Sequence, residues 1–226
     1  MLQTGREREQ HRPKTRLGPE MALSGKRILI TGGAGFIGTT LARRLVDGNH
    51  VTAVDNLHRD ALSGTDLAEH SNFELHQADV LDAEAMAQLA VGATHIVHCA
   101  GIAGVDTVLE SPVRTMRVNL IGTYNVLEAA LGTKDTLERP EAVGQSFNVG
   151  NTRSTVTIYD LAQRIKRLSG CPGEIVFQPL HYADVEIRMP NVEKARELLG
   201  FEARVDLDEG LERTIAWYRE RSLTSA

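Results

Sequence analysis

The sequence predicts an α/β protein built on a doubly wound parallel sheet, and three observations carry that expectation. Short strand-like runs alternate with helical patterns through the first 131 residues. Those runs, RILIT and THIVHCAG among them, are apolar almost throughout, as strands covered on both faces must be. The first run passes straight into a glycine-rich turn and then a helix, the local order of a sheet of this class.

The elements are taken in chain order. RILIT (27–31) is the first strand. After TGGAGFIG, a helix runs to Val46, with Ile37, Leu41 and Leu45 at helical spacing and Gly48 as its expected C-cap. HVTAVDN (50–56) is the second strand and NFELHQADV (72–80) the third. DAEAMAQLA (82–90) is a helix of good formers that Asp82 is suited to cap. THIVHCAG (94–101) is the fourth strand. SPVRTMRVNLIGTYNVLEAAL (111–131) is one long helix, with Ser111 as N-cap and Pro112 in the first turn. Beyond it the rhythm changes. SFNVG (146–150) and EIVFQPL (174–180) read as strands. Residues 154–170 read as a helix with a Ser or Thr cap and a glycine stop, and 191–200 and 206–221 as two further helices. The expected organisation is a polar tail (1–24), a sheet domain (25–137) and a smaller C-terminal region (138–226).

Composition excludes several classes. Of 226 residues 42% are hydrophobic and 24% charged, enough to bury a core as one domain or one domain with a small lobe. Aromatic content of 4% and a net charge of −5 argue against base-stacking platforms and against binding to nucleic acid or an anionic membrane surface. No apolar run reaches the 18 residues of a membrane span. Cys99 and Cys171 form neither a disulfide framework nor a zinc pattern, and no metal site is expected. Cys99, inside HIVHCAG, reads as a small buried hydrophobe. A reducing, cytoplasmic setting fits. The first 20 residues carry five basic and three acidic side chains and no apolar core, unlike a secretory signal. They read as a disordered tail, with Met21 as an alternative start. There is no internal repeat.

The chemistry-bearing signal is ILITGGAGFIG. Gly32 permits the tight turn after the strand, Gly35 lets backbone approach a pyrophosphate, and Gly38 lets helix and strand pack closely. The helix start presents N–H groups and a partial positive charge to an anion. Asp55 ends the next strand at the spacing at which a carboxylate meets the adenosine ribose. An acid there accepts hydrogen bonds from ribose hydroxyls and repels a 2′-phosphate, so the expected cofactor is NAD rather than NADP, although Arg59 stands nearby. Asp79 and Val80 close the third strand, where an adenine edge would lie. Ala100 and Gly101 close the fourth and are small where a dinucleotide needs close approach. All lie at the carboxyl ends of strands, where such sheets bind ligands.

TGGAGFIG, VDN, ADV, HCAG and NLIGTYNVLEAA together resemble the NAD-binding half of the extended short-chain dehydrogenase/reductase superfamily. More narrowly they are similar to its nucleotide-sugar epimerases, dehydratases and decarboxylases. The resemblance is nearly continuous over residues 26–137. It resumes in FNVGN, VTIYDLAQRI and ADVEIRMPNVEKARELLGFEARVDLDEGLERTI, which resemble the end of the family's small substrate lobe. It implies a Rossmann-type fold in which Gly32, Gly35, Phe36, Ile37 and Gly38 hold the pyrophosphate. Asp55 and Asn56 would hold the ribose, Asp79 and Val80 the adenine, Ala100 and Gly101 the region beside the diphosphate, and Asn119 would lie near the cofactor. Arg188 resembles a late arginine that meets a sugar-nucleotide diphosphate. A homodimer through helix 111–131 is also implied.

The chemistry implied by the resemblance uses a tyrosine base, a lysine four residues later that lowers its pKa, and a Ser or Thr hydroxyl. An unperturbed phenol has a pKa of about 10, so a cation beside it is needed near neutral pH. Four residues after Tyr124, Tyr159, Tyr182 and Tyr218 stand Glu128, Gln163, Glu186 and Ser222; none is lysine. No catalytic residue is therefore assigned. The absence has a place. TKDTLERPEAVGQSFNVG (133–150) joins the end of the cofactor half directly to sequence resembling the end of the family's chain. At roughly 30 or more residues per βαβ unit, on the order of 60 residues or more are missing. An internal deletion, an omission from the sequence as written and a degenerate binding module all fit, and the intact flanks favour the first two. Nucleotide-sugar binding is expected to be weak or lost. Removal of two sheet units also predicts an exposed edge and apolar face, an aggregation hazard.

Overall fold

The computed structural model describes residues 23–131, 145, 147–179 and 189–224. The junction at 137–142 and Arg188 lie outside them. The chain divides into two compact units, residues 1–134 and 135–226.

In the first unit β1 (Arg27–Thr31), β2 (His50–Asp55), β3 (Phe73–Gln77) and β4 (His95–His98) form one sheet in the order β3-β2-β1-β4. All three pairings are parallel, with Ile30 set between Ala53 and Val97. The strand period of two divides the core. Ile28 and Ile30 point to one face, where they pack with Val51, Ala53 and Phe73 and with Ala42 of α1 (Phe36–Leu45). Leu29 and Val54 point to the other, against Met86 of α2 (Ala83–Leu89) and Val126 and Ala129 of α5 (Thr123–Leu131). Helices cover both faces, as the apolar strands required.

Local chemistry sets most boundaries. Asp82 caps α2, its carboxylate accepting the Ala85 N–H at 3.0 Å. Gly48 is not the C-cap of α1. The helix ends at Val46 in ordinary right-handed geometry, and no left-handed residue is needed. A short helix, α3 (Val105–Glu110), precedes the long one and was not anticipated. Ser111 stands at the N-cap position of α4 (Pro112–Met116), but its side chain makes no capping bond. Its carbonyl instead accepts both the N–H and the hydroxyl of Thr115 at 3.0 Å. The long helix has its expected extent, but Arg117–Gly122 are wound as a π turn between α4 and α5. Such turns often accompany function.

The second unit holds α6 (Ile158–Ser169), α7 (Glu193–Leu199) and α8 (Leu207–Thr224). A capping box starts α6: the Thr157 hydroxyl accepts the Asp160 N–H at 3.0 Å, and Asp160 accepts the Thr157 N–H at 3.4 Å. Gly170 and Gly200 close α6 and α7 in the left-handed conformation that glycine adopts without strain. Arg164 and Arg167 bond opposite oxygens of Asp208 at 2.6 and 2.7 Å, joining α6 to α8. The Arg164 hydrogen bond, helped by the charges of Arg164 and Arg167, holds the Asp208 carboxyl below its usual pKa. The strands expected at 146–150 and 174–180 are absent from the described residues 147–150 and 174–179, which pair with no neighbour. Their apolar groups find other partners: the Lys194 ammonium lies 5.0 Å from the Phe147 ring centre, and Phe177 stacks on Tyr159 at 5.6 Å. Among the described residues no helix is long and apolar enough to cross a membrane.

Candidate functional site

The carboxyl ends of the four strands bring the candidate residues of the first unit together. Gly32 leaves β1 at φ +67°, and a Cβ there would sit 2.6 Å from the Ala100 nitrogen beyond β4. A Cβ on Gly38 would lie 2.2 Å from the Gly32 carbonyl oxygen. Both are backbone approaches that admit no side chain. Gly33, to which the sequence reading gave no role, is equally confined: its Cβ would meet that of Ala53 at 2.5 Å. Gly35 is different. It is the N-cap of α1 in extended geometry, and a Cβ would meet only the Gly32 oxygen, at 3.2 Å. Internal packing thus excludes a side chain at Gly32, Gly33 and Gly38 and constrains Gly35 less severely. Phe36 and Ile37 open α1 with exposed side chains. First-turn N–H groups, those of Ile37 and Gly38 among them, have no intrahelical acceptor and face an incoming anion.

Asp55 is buried to 9% exposure and fixes this loop. One carboxylate oxygen accepts the Ala34 N–H at 3.1 Å and the other the Leu57 N–H at 2.8 Å. Each oxygen keeps a lone pair for a further donor, such as a hydroxyl. Leu57 is held at φ +62°, an uncommon conformation for a branched side chain, immediately beyond the Asp55-Asn56 pair. Asn56 donates to Asp79 at 3.2 Å, and Asp79 accepts the Leu81 N–H. Asp55, Asn56 and Asp79 therefore form one polar rim. Val80 is buried beneath it, its carbonyl taking a hydrogen bond from Asn125 at 2.9 Å.

On the other side, Asn119 reaches out of the π turn to the backbone beyond β4. It accepts the Ile102 N–H at 2.7 Å and donates to the Ile102 carbonyl at 2.9 Å. A Cβ on Gly101 would stand 3.3 Å from its amide oxygen. Ala100, Gly101 and Asn119 thus make a narrow wall opposite the Asp55 rim. Anion-facing amides, small residues and a carboxylate with spare acceptor capacity together fit an adenine dinucleotide.

His98 is the other group that the sequence left unassigned. Its Nδ1 lies 2.6 Å from the hydroxyl of Thr31, and its Nε2 lies 3.0 Å from that of Thr123. Burial pushes its pKa below the usual value. A histidine with a lowered folded-state pKa stabilises the fold in full above its unfolded pKa of about 6.5, and that contribution is lost as pH falls through the folded value. His98→Gln should therefore flatten the fall in melting temperature between pH 7.5 and pH 5 relative to wild type. Parallel melting curves across that range would contradict this.

Tyr124 and Tyr218 are exposed, the latter edge-on to Trp217, while Tyr159 takes a hydrogen bond from Gln163. Tyr182 lies outside the described residues. Among those residues no cluster of three metal-binding side chains occurs. A cavity of about 420 Å³ in the second unit is lined in part by Arg153 and Arg164, and both are committed to Asp206 and Asp208.

The sequence pattern of the NAD dependent epimerase/dehydratase family matches residues 28–158. A UDP-N-acetyl-alpha-D-glucosaminuronate decarboxylase of Bacillus cytotoxicus is 39% identical over 116 residues, 48% of this chain and 34% of that one. A dTDP-glucose 4,6-dehydratase of Mycobacterium tuberculosis is 37% identical over 110 residues, 46% of this chain and 32% of its own. This chain thus spans about a third of the length of these relatives. Among solved structures, an epimerase of Methanothermobacter thermautotrophicus superposes with a TM-score of 0.78 at 20% identity, covering 89% of this chain and 94% of that one. A Thermotoga maritima UDP-glucose 4-epimerase with UDP-glucose gives 0.71 at 20% identity, over 86% and 99%. These likenesses establish the fold.

Proposed function

We propose, for a chain that belongs to the NAD dependent epimerase/dehydratase family, that it binds NAD at the carboxyl edge of its sheet and does not by itself turn over a nucleotide sugar. The observation that carries the first half is the pairing of the glycine turn with Asp55, whose carboxylate bonds the Ala34 N–H of that turn and keeps acceptor capacity for a further donor. In this reading the start of α1 receives the pyrophosphate, and Asp55 and Asn56 receive the adenosine ribose. Asp79 and Val80 border the adenine, and Ala100, Gly101 and Asn119 form the opposite wall. When bound, NAD would supply the acceptor for the hydride on the carbon that bears a sugar hydroxyl.

The second half rests on the missing tyrosine and lysine. Without a phenolate held near neutral pH, the proton of that hydroxyl lacks the acceptor that the family resemblance implies. Arg188 is assigned to a sugar-nucleotide diphosphate, a contact the shortened chain would keep only weakly. Residues 25–137 then act as the NAD-binding domain and 138–226 as what remains of the substrate region.

Isothermal titration of the purified chain with NAD tests the first half, and a nucleotide-sugar turnover assay under the same conditions tests the second. The expected result is saturable NAD binding, weaker NADP binding, and no epimer, decarboxylated or dehydrated product. Absence of NAD binding would sink the reading; measurable turnover would sink its second half alone.

A further inference from the structure

The two hydroxyls that flank His98 are themselves committed, and this fixes the state of the ring. Thr123 donates its single hydroxyl hydrogen to the Asn119 carbonyl at 2.7 Å. Toward His98 it can only accept, so Nε2 carries the hydrogen. Nδ1 is then bare and accepts the hydroxyl hydrogen of Thr31, which is fully buried. The Thr31 oxygen in turn faces the Ala100 N–H at 3.5 Å. The chain of donors runs from Ala100 through Thr31, His98 and Thr123 to the Asn119 carbonyl. It crosses β1, β4 and the π turn. At its two ends stand Ala100 and Asn119, and the Asn119 side chain closes the circuit through Ile102.

We infer that His98 is a positioning residue for the cofactor site: a neutral imidazole that clamps the end of β4 to the π turn and sets the gap between Ala100–Gly101 and Asn119. It touches no ligand. It acts through Thr31 and Thr123, and the inference rests on the NAD-binding reading above. Asn119 serves both the clamp and the wall: its carbonyl takes the Thr123 hydroxyl, as the carbonyl four residues back does for Thr40 and Thr115, while its side chain faces Ile102. An apolar side chain at 98 would leave the Thr31 hydroxyl buried without its acceptor, which costs more than the bond itself contributes, and the wall would relax toward a different spacing.

The test uses the full chain with NAD as the probe. His98→Leu and Thr123→Val should each weaken NAD binding about tenfold by calorimetric titration. The double variant should be no weaker than the weaker single one, because both cut the same circuit. Thr123→Val changes one atom, so it keeps the test alive if His98→Leu fails to fold. Ring ¹⁵N spectra of the wild type should show the hydrogen on Nε2. Unchanged NAD affinity in folded variants, losses that add in the double variant, or a ring hydrogen on Nδ1 would each overturn the inference. Failure of the wild type to bind NAD overturns the binding reading and this inference with it, whereas wild-type binding with unaltered variants removes only the clamp.

Discussion

Gly38→Ala is expected to abolish detectable NAD binding and to lower the unfolding free energy by about 3 kcal/mol, the upper end of what overpacking a rigid site costs. The added methyl group would lie 2.2 Å from the Gly32 carbonyl oxygen and 2.7 Å from the Gly33 Cα. Both are backbone atoms of a turn held on all sides. Gly32 and Gly33 donate to the Val54 carbonyl at 2.7 and 3.3 Å, and Gly35 donates back to Gly32 at 3.1 Å. No side chain can rotate away, so α1 must shift off the sheet, and with it the amides offered to the pyrophosphate. Gly35→Ala is the control that separates folding from binding. Its Cβ meets a single atom at 3.2 Å, so its stability should change by less than about 1 kcal/mol. NAD affinity should nonetheless fall at least tenfold if backbone approach is what position 35 provides. Urea unfolding and calorimetric titration of both variants measure the two effects. A Gly38→Ala protein as stable as wild type would contradict the packing account.

The sheet was legible because its strands announce themselves twice, by apolar composition and by the residues that come directly after them. RILIT runs into its glycine turn, HVTAVD ends on the acid that ties that turn down, and every strand starts within a residue of expectation, although β3 and β4 each end three residues earlier than expected, where the chain leaves the ladder for the site loops. The same logic failed after residue 131. FNVG and EIVFQ carry strand-like residues, but β propensity is realised only against a partner strand, and the described residues offer none. The contacts made around the π turn were invisible because they are tertiary: Asn119 reaching to Ile102 and Thr123 to His98 involves residues 17 and 25 positions apart. Gly33 was overlooked for a related reason. The spacing of a glycine fingerprint marks the positions a ligand or helix needs, whereas Gly33 is needed by Ala53, on another strand. His98 read as one more residue of a buried strand. Only the hydroxyls on either side of it, one from β1 and one from α5, show what its two nitrogens do.

The chain is expected to self-associate, and Leu120→Glu with Leu127→Glu to leave it monomeric. The buried face of the long helix carries Thr115, Gly122, Asn125, Val126 and Ala129. Its other face carries Val113, Met116, Leu120, Tyr124, Leu127 and Leu131, each between 59% and 79% exposed. That spacing of three and four residues makes one continuous apolar stripe, and Ile121 extends it. Complete burial of a large apolar side chain contributes about 1.5–3 kcal/mol. Six per copy would together exceed an association cost of about 4–15 kcal/mol. Isologous pairing of two helices would close the surface as a dimer. In the described sheet, however, β4 is an edge strand and belongs to the same unit as the stripe. An unpaired edge with an apolar face nearby also supports open-ended growth. Sedimentation velocity across a concentration series distinguishes the two: a single dimer boundary for closed pairing, a drifting series of larger species for open growth. The two glutamates place like charges across a symmetric contact and should leave one monomer boundary in either case. A wild-type chain that stays monomeric at about 100 μM, well above the micromolar affinity that about 8 kcal/mol of net association would give, would show that the stripe is satisfied within the monomer.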